Sequence, residues 1–246
     1  MKADLARQWR MLDLQKLDTR LAQLAHKKRS LPVLAQIETA TKQQEELFEE
    51  VVLARTAAQD VEREITKAED AVQLVRDRAV RNQQRLDAGQ GAPKELQAMQ
   101  HELETLARRQ SALEDEELEV MERAEELRAV LARREAQKAE IDERVVSLVS
   151  ERDVALAEID AETGEVAAKR DQMAPGLGTE LLGLYEKVRE QCGGLAAAAL
   201  TQRRCGGCGL ELNATDLARF KNAPEDEILR CDECRRIIVR TSESGL

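Results

Sequence analysis

Aromatic side chains are almost missing from this sequence, which has one tryptophan, one tyrosine and two phenylalanines among 246 residues. Proline and glycine are also scarce, with four and twelve copies, whereas charged residues make up 35% of the chain. A composition this poor in aromatics and this rich in Ala, Glu, Leu, Arg and Gln indicates long helices or coiled coil rather than a conventional globular core. Disorder does not fit, because apolar positions recur periodically along the chain.

Long apolar runs are absent too. No stretch approaches the roughly 20 apolar residues that a membrane-spanning helix needs, so no membrane partner is expected. The first residues, MKADLARQWRMLD, scatter charges through any apolar stretch and do not make a signal peptide. We therefore expect a cytoplasmic protein, and in a reducing compartment five cysteines favour metal binding over disulfides.

Apolar or small residues recur at alternating steps of four and three from Val33 to Leu86, and again from Leu96 to Val166. This heptad pattern is typical of a left-handed coiled coil. The two stretches are of comparable length and are joined by DAGQGAP, the turn-forming cluster at 87–93. The sequence therefore predicts a mostly α fold, with residues 1–172 forming a long antiparallel coiled-coil hairpin whose tip turn is 87–93. A phase change at Pro32 predicts a kink near 30–33.

The end of the chain is organised differently. Pro175 and its neighbouring glycines end the long helix, and residues 173–194 are predicted to form a linker and a short helix. Residues 195–246 are predicted to form a small second domain, because they contain four of the five cysteines as two C-x-x-C pairs. These are Cys205, Cys208, Cys231 and Cys234.

Two C-x-x-C pairs separated by 22 residues can supply the four ligands of one tetrahedral zinc ion. Short aliphatic runs flank each pair, which indicates two hairpin knuckles clamped on one structural Zn²⁺, a C4 zinc ribbon. Two redox-active pairs are the alternative interpretation. A catalytic zinc is disfavoured, since four thiolates leave no coordination position for water. Cys192 has no partner at matching spacing and is expected to be a buried free thiol.

The segments GAPKELQAMQHELETLARRQ, LEDEELEVMERAEEL, CGGCGLEL and CDECRRIIV resemble those of the bacterial coiled-coil hairpin proteins with a C-terminal four-cysteine zinc ribbon. The resemblance covers nearly the whole chain. Some members of that family are linked to flagellar regulation and others to type III secretion, but nothing in this sequence identifies such a partner. The resemblance implies a small nonenzymatic protein. Many members of that family are catalogued as binding nucleic acid, and some are reported to bind proteins.

One position departs from the family pattern. Such ribbons usually have glycine directly after the second cysteine pair, whereas this sequence has Arg235. Arginine in a left-handed turn is disfavoured by about 1 kcal/mol. Either the second knuckle differs in conformation or the arginine side chain has a use.

Basic residues concentrate in two places. Residues 76–109, around the predicted tip, contain seven Lys or Arg against five acidic residues, and residues 111–128 contain eight acidic against two basic. The candidate partner contacts are Arg76, Arg78, Arg81, Arg85 and Lys94 near the tip and Arg203, Arg204, Arg235 and Arg236 beside the knuckles. An ordinary solvated helix surface is the competing interpretation of the tip charges.

These features predict a nonenzymatic binding protein without a small-molecule substrate. Nucleic acid, DNA or RNA, or a nucleoprotein assembly is the leading expected partner, contacted through the ribbon and the tip. A protein–protein adaptor or chaperone-like scaffold is the alternative. The net charge of −10 argues against non-specific coating of nucleic acid but leaves a local basic contact open.

Overall fold

A computed structural model of the chain describes residues 1–89 and 91–246, which form two compact units. We refer to residues 35–149 as the hairpin unit, and to residues 1–34 with 150–246 as the ribbon unit. The predicted tip turn at 87–93 includes residue 90, which lies outside the described residues. The helices are α1 (Leu5–Arg29), α2 (Pro32–Asp87), α3 (Pro93–Met173), α4 (Thr179–Gln191) and α5 (Ala214–Asn222), with a short 3-10 turn at Ala174–Leu177.

The hairpin unit consists of most of α2 and of α3, which form the predicted helical hairpin. Small and β-branched side chains fill the seam between the two helices. Buried seam residues are Ala40, Val51, Ala58, Val61, Val72 and Val75 on α2, and Leu106, Ala124, Ile141 and Leu148 on α3. The heptad positions read from the sequence are therefore the ones that the helices bury, and the predicted mostly α fold is confirmed.

Ion pairs cross the hairpin seam along its length. Arg55 lies 2.7 Å from Glu135 and Arg76 lies 2.5 Å from Glu114. Their side chains stay between about a third and three-fifths exposed, so each pair contributes little, about 0–1 kcal/mol. Together they fix the register of the antiparallel helices more than they stabilise the fold.

The helices end where the local sequence requires it. Ser30 closes α1, with its amide 3.0 Å and its hydroxyl 2.9 Å from the His26 carbonyl. Pro32 then occupies the first position of α2, where the missing amide hydrogen is not needed. At the start of α3, Glu95 accepts a 2.9 Å hydrogen bond from the amide of Ala92, which satisfies a free donor at that helix end.

The ribbon unit contains a four-stranded sheet in the order β2-β1-β4-β3. The strands are β1 (Ala197–Thr201), β2 (Arg204–Cys205), β3 (Leu229–Arg230) and β4 (Ile237–Val239). The central strands β1 and β4 run parallel, with Ala197 opposite Ile237, and each pairs antiparallel with one outer strand.

Alternate residues of the sheet serve two separate cores. Ile237 and Val239 pack with Met11, Leu177 and residues of α1 and α4. Their neighbour Ile238 packs on the other side with Phe220 of α5 and with Cys205. Successive side chains of a strand point to opposite faces of its sheet. The three residues of β4 therefore contact α1 and α4 on one face and the cysteine cluster on the other.

Candidate metal centre

The first cysteine pair lies in a tight turn that follows β2. The amide of Gly209 donates to the Cys205 carbonyl at 2.7 Å, and the amide of Gly207 lies 3.4 Å from the Cys205 sulfur. Gly206 passes so close to β1 that an added Cβ would meet the Ala199 carbonyl oxygen at 2.7 Å. Only glycine fits there without moving the backbone.

The second pair repeats the same turn with different residues. The amide of Arg235 donates to the Cys231 carbonyl at 2.9 Å, and the amide of Cys231 donates to the Arg236 carbonyl at 3.0 Å. Arg235 has a φ of 64°, close to the 75° of Gly209 at the equivalent place in the first turn. The knuckle thus keeps the left-handed conformation that glycine usually provides, and Arg235 bears the strain.

The two turns bring the four cysteine sulfurs together, all within 4.8 Å of one another. Cys205 and Cys234 sulfurs are 3.8 Å apart, and those of Cys208 and Cys231 are 4.0 Å apart. A tetrahedron with zinc–sulfur bonds of about 2.3 Å has edges of about 3.8 Å. The donor set and its spacing therefore fit one structural zinc ion, and four sulfurs would fill its coordination sphere.

Three of the four thiols have pKa values shifted from the ordinary value of a cysteine. Burial raises the pKa of Cys205 to about 12 and also raises the pKa of Cys231. At Cys234 burial acts in the same direction, but the amide of Arg236 and neighbouring thiols outweigh it and lower the pKa to about 7. Since zinc binds thiolates, loading the site must displace protons, and Cys234 loses its proton more easily than Cys205 or Cys231.

Arg236, a candidate partner contact, is held inside the ribbon unit by backbone carbonyls. Its guanidinium donates to the carbonyls of Leu195 at 3.0 Å, Cys192 at 3.2 Å and Gly207 at 3.3 Å. The side chain therefore connects the second knuckle to the first and to the segment that follows α4. This structural role is not visible in the sequence, because the three acceptors are backbone atoms from different segments.

The other ribbon arginines differ in their freedom. Arg204 is exposed and lies 3.5 Å from Glu211, and Arg203 is exposed with a 3.1 Å hydrogen bond to the Gly245 carbonyl. Arg235 is exposed and forms no ion pair within 4 Å with any residue of the described chain. Of the candidate contacts beside the knuckles, Arg203 and Arg235 are thus the ones with charge left for a partner.

Near the hairpin tip, the candidate cations also fall into two groups. Arg76 is paired with Glu114 at 2.5 Å, and Arg78 is paired with Glu102. Arg81, Arg85 and Lys94 are exposed, and none of these three forms an ion pair with an acidic residue in the described parts of the chain. Their charges remain uncompensated by close intrachain partners.

A buried polar cluster near the base of the ribbon unit was not found from the sequence. Asp18 has no side-chain exposure, accepts a 2.7 Å hydrogen bond from the Tyr185 hydroxyl and lies 2.8 Å from the Arg170 guanidinium. Burial, followed by the contact with Asp18, raises the pKa of Tyr185. Gln15 accepts a 2.6 Å hydrogen bond from the amide of Ala196, just before β1.

This cluster ties α1, α3 and α4 to the start of the sheet. The sequence signal was weak, since Gln15 and Asp18 are two polar residues three positions apart on α1 and Tyr185 is the sole tyrosine. Which of many carboxylates a tyrosine would meet depends on the packing of three helices.

Two further residues are placed by the fold beside the ribbon strands. The indole of Trp9 donates to the Arg240 carbonyl at 3.2 Å and Trp9 is 52% exposed, whereas Phe220 is fully buried. Trp9 is therefore the aromatic surface next to the ribbon. Cys192, expected to be buried, is half-buried, with its sulfur 3.6 Å from the Cys234 carbonyl. It follows the last turn of α4, which leaves one side of the thiol open.

The comparisons with known proteins agree with this architecture. Residues 14–193 match the family described as a CT398-like coiled coil hairpin domain, and residues 204–238 match a C4-type zinc ribbon domain. The chain belongs to the CT398-like coiled-coil hairpin family. The predicted structural zinc ribbon is thereby supported, while an association with flagella or type III secretion is not shown.

Relatives in this family extend over the full chain. An uncharacterized protein of Mycobacterium tuberculosis is 36% identical over 98% of both chains. A solved structure from Mycobacterium smegmatis is 34% identical, with a TM-score of 0.86 over 98% of this chain and 100% of that one. CT398 from Chlamydia trachomatis shares the fold at 16% identity, with a TM-score of 0.66 over 96% of this chain and 98% of that one.

Membrane insertion through a helix finds no support in the described residues. None of their helices is both long enough and apolar enough to cross a bilayer.

Proposed function

We propose that this protein is a nonenzymatic adaptor that binds other proteins through its hairpin unit, while the zinc ribbon stabilises the end of the chain. The supporting observation is a groove near the hairpin tip, which we call the tip groove. Its floor is aliphatic, with Val75 and Leu106, and its rim carries Arg78, Arg81 and Arg109. Apolar floors with charged rims are typical of protein-binding surfaces.

Nucleic acid was the leading partner expected from the sequence. In the structure, some of the ribbon side chains expected to contact it are occupied by contacts within the chain. Arg236 is engaged with three carbonyls, and the guanidinium of Arg240 donates to the carbonyls of Phe220, Ala223 and Pro224. Phe220 is buried and cannot stack on bases, which leaves Trp9, 52% exposed, as the aromatic side chain at the surface beside the ribbon strands. Because Arg236 and Arg240 are both engaged by backbone carbonyls, we favour a protein partner.

Nucleic acid remains the second candidate function because of Arg203 and Arg235. Both are exposed beside the knuckles and neither forms an ion pair with a described residue. These two guanidiniums, one beside each cysteine pair, could contact phosphates. A gel-shift titration of RNA and DNA at several salt concentrations tests this function. Binding with a steep negative salt slope that Arg203→Glu and Arg235→Glu reduce would support it.

The adaptor function is tested by affinity capture with the tagged, zinc-loaded full chain, with and without nuclease. We expect the same proteins to be retained after nuclease treatment, and to be lost when Arg81 and Arg109 are both changed to Glu. Arg133→Glu with Arg144→Glu, on the same helical hairpin, serves as the charge-matched control. Retention that disappears with nuclease, or that is equal in both double variants, would contradict an adaptor working through the tip groove.

A further inference from the structure

The tip groove contains an exposed aliphatic side chain beside buried ones. Leu74 lies in its lining and is 68% exposed, next to Val75 and Leu106, which are almost fully buried. The cavity has a volume of about 550 Å³, within the range of about 300–1,000 Å³ that is typical of binding pockets. Covering the exposed Leu74 side chain with another apolar surface would remove its area from water, which is favourable.

The rim of the tip groove has charge of one sign. Arg78, Arg81 and Arg109 line it, and acidic residues do not occur among its lining residues in the described chain. Arg78 is paired with Glu102, but Arg81 and Arg109 form no ion pair with any described acidic residue. Two guanidiniums therefore stand beside an apolar floor without intrachain carboxylates to neutralise them.

A second groove on the same hairpin unit shows that this arrangement is particular to the tip. It has a volume of about 380 Å³ and lies around Leu47 and Ile141. Its rim mixes both signs, and Arg134 there lies 3.1 Å from Glu50. Because that rim is already neutralised, it offers no preference for a charged partner, whereas the tip groove does.

We infer that the tip groove binds an acidic amphipathic helix of a partner protein. Leucine-type side chains spaced three and four residues apart would cover Leu74 and the aliphatic floor, in the manner of helix-in-groove recognition. Carboxylates flanking them would pair with Arg81 and Arg109, whose planar guanidiniums suit bidentate contact with carboxylate. A phosphate backbone would satisfy the arginines but would leave Leu74 exposed, so the apolar floor favours a peptide. This inference rests on the proposed adaptor function and names the chemistry of its partner.

A labelled synthetic peptide of roughly 18 residues, or five helical turns, serves as the probe. Leucines at every third and fourth position form one face, and glutamates flank them. We expect fluorescence anisotropy at low salt to show saturable binding to the zinc-loaded full chain, weakened by added salt. Two control peptides test whether the groove recognises charge and leucine spacing. One has lysine in place of each glutamate, and the other is a scrambled glutamate peptide. Both should bind at least about tenfold more weakly.

Variants of exposed residues locate the site without disturbing the fold. Leu74→Ser should weaken binding about tenfold, since it removes one apolar anchor. Leu53→Ser is the matched control, because Leu53 is on the same helix and 70% exposed but outside the groove. Arg81→Glu should weaken binding by about as much as Leu74→Ser through charge reversal, whereas Arg85→Glu, on the same helix but outside the groove lining, should have a smaller effect.

Several results would overturn the inference. These are equal binding of the glutamate and lysine peptides, equal effects of Leu74→Ser and Leu53→Ser, and no saturable binding at low salt. A DNA duplex that binds more tightly and depends on Arg81 but not on Leu74 would identify a phosphate site instead. Self-association lost on Leu74→Ser, measured by sedimentation, would identify a second copy as the occupant. If the peptide does not bind but proteins are still captured after nuclease treatment, the proposed adaptor function is retained. Only the inference of an acidic amphipathic helix as the partner is then rejected.

Discussion

The hairpin unit and the ribbon unit use charged residues in opposite ways. In the hairpin unit the pairs that cross the seam, such as Arg55 with Glu135, keep both side chains about half exposed. In the ribbon unit Asp18 is completely buried and meets Arg170 and Tyr185. Exposed pairs are individually weak, whereas a buried charge that loses its partner is left uncompensated.

This difference indicates where a single substitution should have a large effect on stability. Stability of the hairpin unit is distributed over many small seam residues and surface pairs, so no one of them dominates. The ribbon unit has two apolar cores, and it also depends on four clustered cysteines and on Asp18 and Arg236, which contact several segments. The following predictions test this contrast, from the largest expected effect to the smallest.

Removing zinc should affect the ribbon and spare the hairpin. Purified protein should contain one equivalent of zinc, and Cys208→Ser or a strong chelator should abolish order around the cysteines. Structural zinc contributes about 10–16 kcal/mol in isolated zinc-finger peptides, which is more than a small sheet could replace. Hydrogen exchange should show lost protection in 197–239 and unchanged protection in 35–149. Full protection of 197–239 in metal-free protein would refute the zinc ribbon.

Replacing a buried carboxylate should cost far more than replacing an exposed one. We expect Asp18→Ala to destabilise the ribbon unit by about 3 kcal/mol, because Arg170 and the Tyr185 hydroxyl lose their buried partner. Glu135→Ala, the control in the hairpin unit, should cost at most about 1 kcal/mol. Urea unfolding can be followed by the fluorescence of Trp9, the sole tryptophan, for the ribbon unit, and by far-ultraviolet circular dichroism of the long helices for the hairpin unit. Equal losses in the two variants would break the comparison.

The Arg236 side chain should matter for the ribbon even though it is only half-buried. Arg236→Ala removes three hydrogen bonds to backbone carbonyls, and we expect a loss of about 2–3 kcal/mol. Arg203→Ala, beside the first cysteine pair, is the control. It removes one exposed hydrogen bond to the Gly245 carbonyl, and it should lower the free energy of unfolding by less than about 1 kcal/mol. Thermal unfolding of the zinc-loaded protein measures both. An Arg236→Ala variant as stable as Arg203→Ala would mean that the carbonyls are equally well satisfied by water.

The smallest expected effect concerns Arg235, whose backbone has a left-handed conformation. Arg235→Gly relieves about 1–2 kcal/mol of backbone strain but loses about 0.5–1 kcal/mol because glycine is more flexible when unfolded. The net change should be a stabilisation of about 0 to 1.5 kcal/mol. Arg235→Ala keeps the strain and should not stabilise the ribbon, and chemical denaturation compares the two. A clear loss of stability in Arg235→Gly would show that the arginine side chain itself supports the knuckle.

Much of the fold could be read from local pattern. Heptad spacing identified seam residues such as Val51 and Val72 because a helix buries every third or fourth residue regardless of its partner. The paired C-x-x-C motifs identified the metal centre for a similar reason, since each tight turn presents two sulfurs at once. At Arg235 the sequence left two alternatives open, a different knuckle conformation or a use for the side chain, and the structure keeps the left-handed conformation.

Other parts of the site required the packed structure. Arg203 and Arg236 are equivalent in sequence, both beside a cysteine pair, yet one is exposed and the other donates to three carbonyls. Trp9 lies more than two hundred residues from Arg240, whose carbonyl it contacts. No local rule distinguishes these cases, because the acceptors come from segments far apart in the chain.

The amino-acid sequence by itself determined the helices, their apolar seam and the four sulfur ligands, since each depends on spacing within one turn or one heptad. Only the tertiary structure decided which charges are free, which are buried and where an apolar floor meets unpaired arginines. Those outcomes depend on distances between side chains and backbone atoms that are remote in sequence, and on the removal of water from between them.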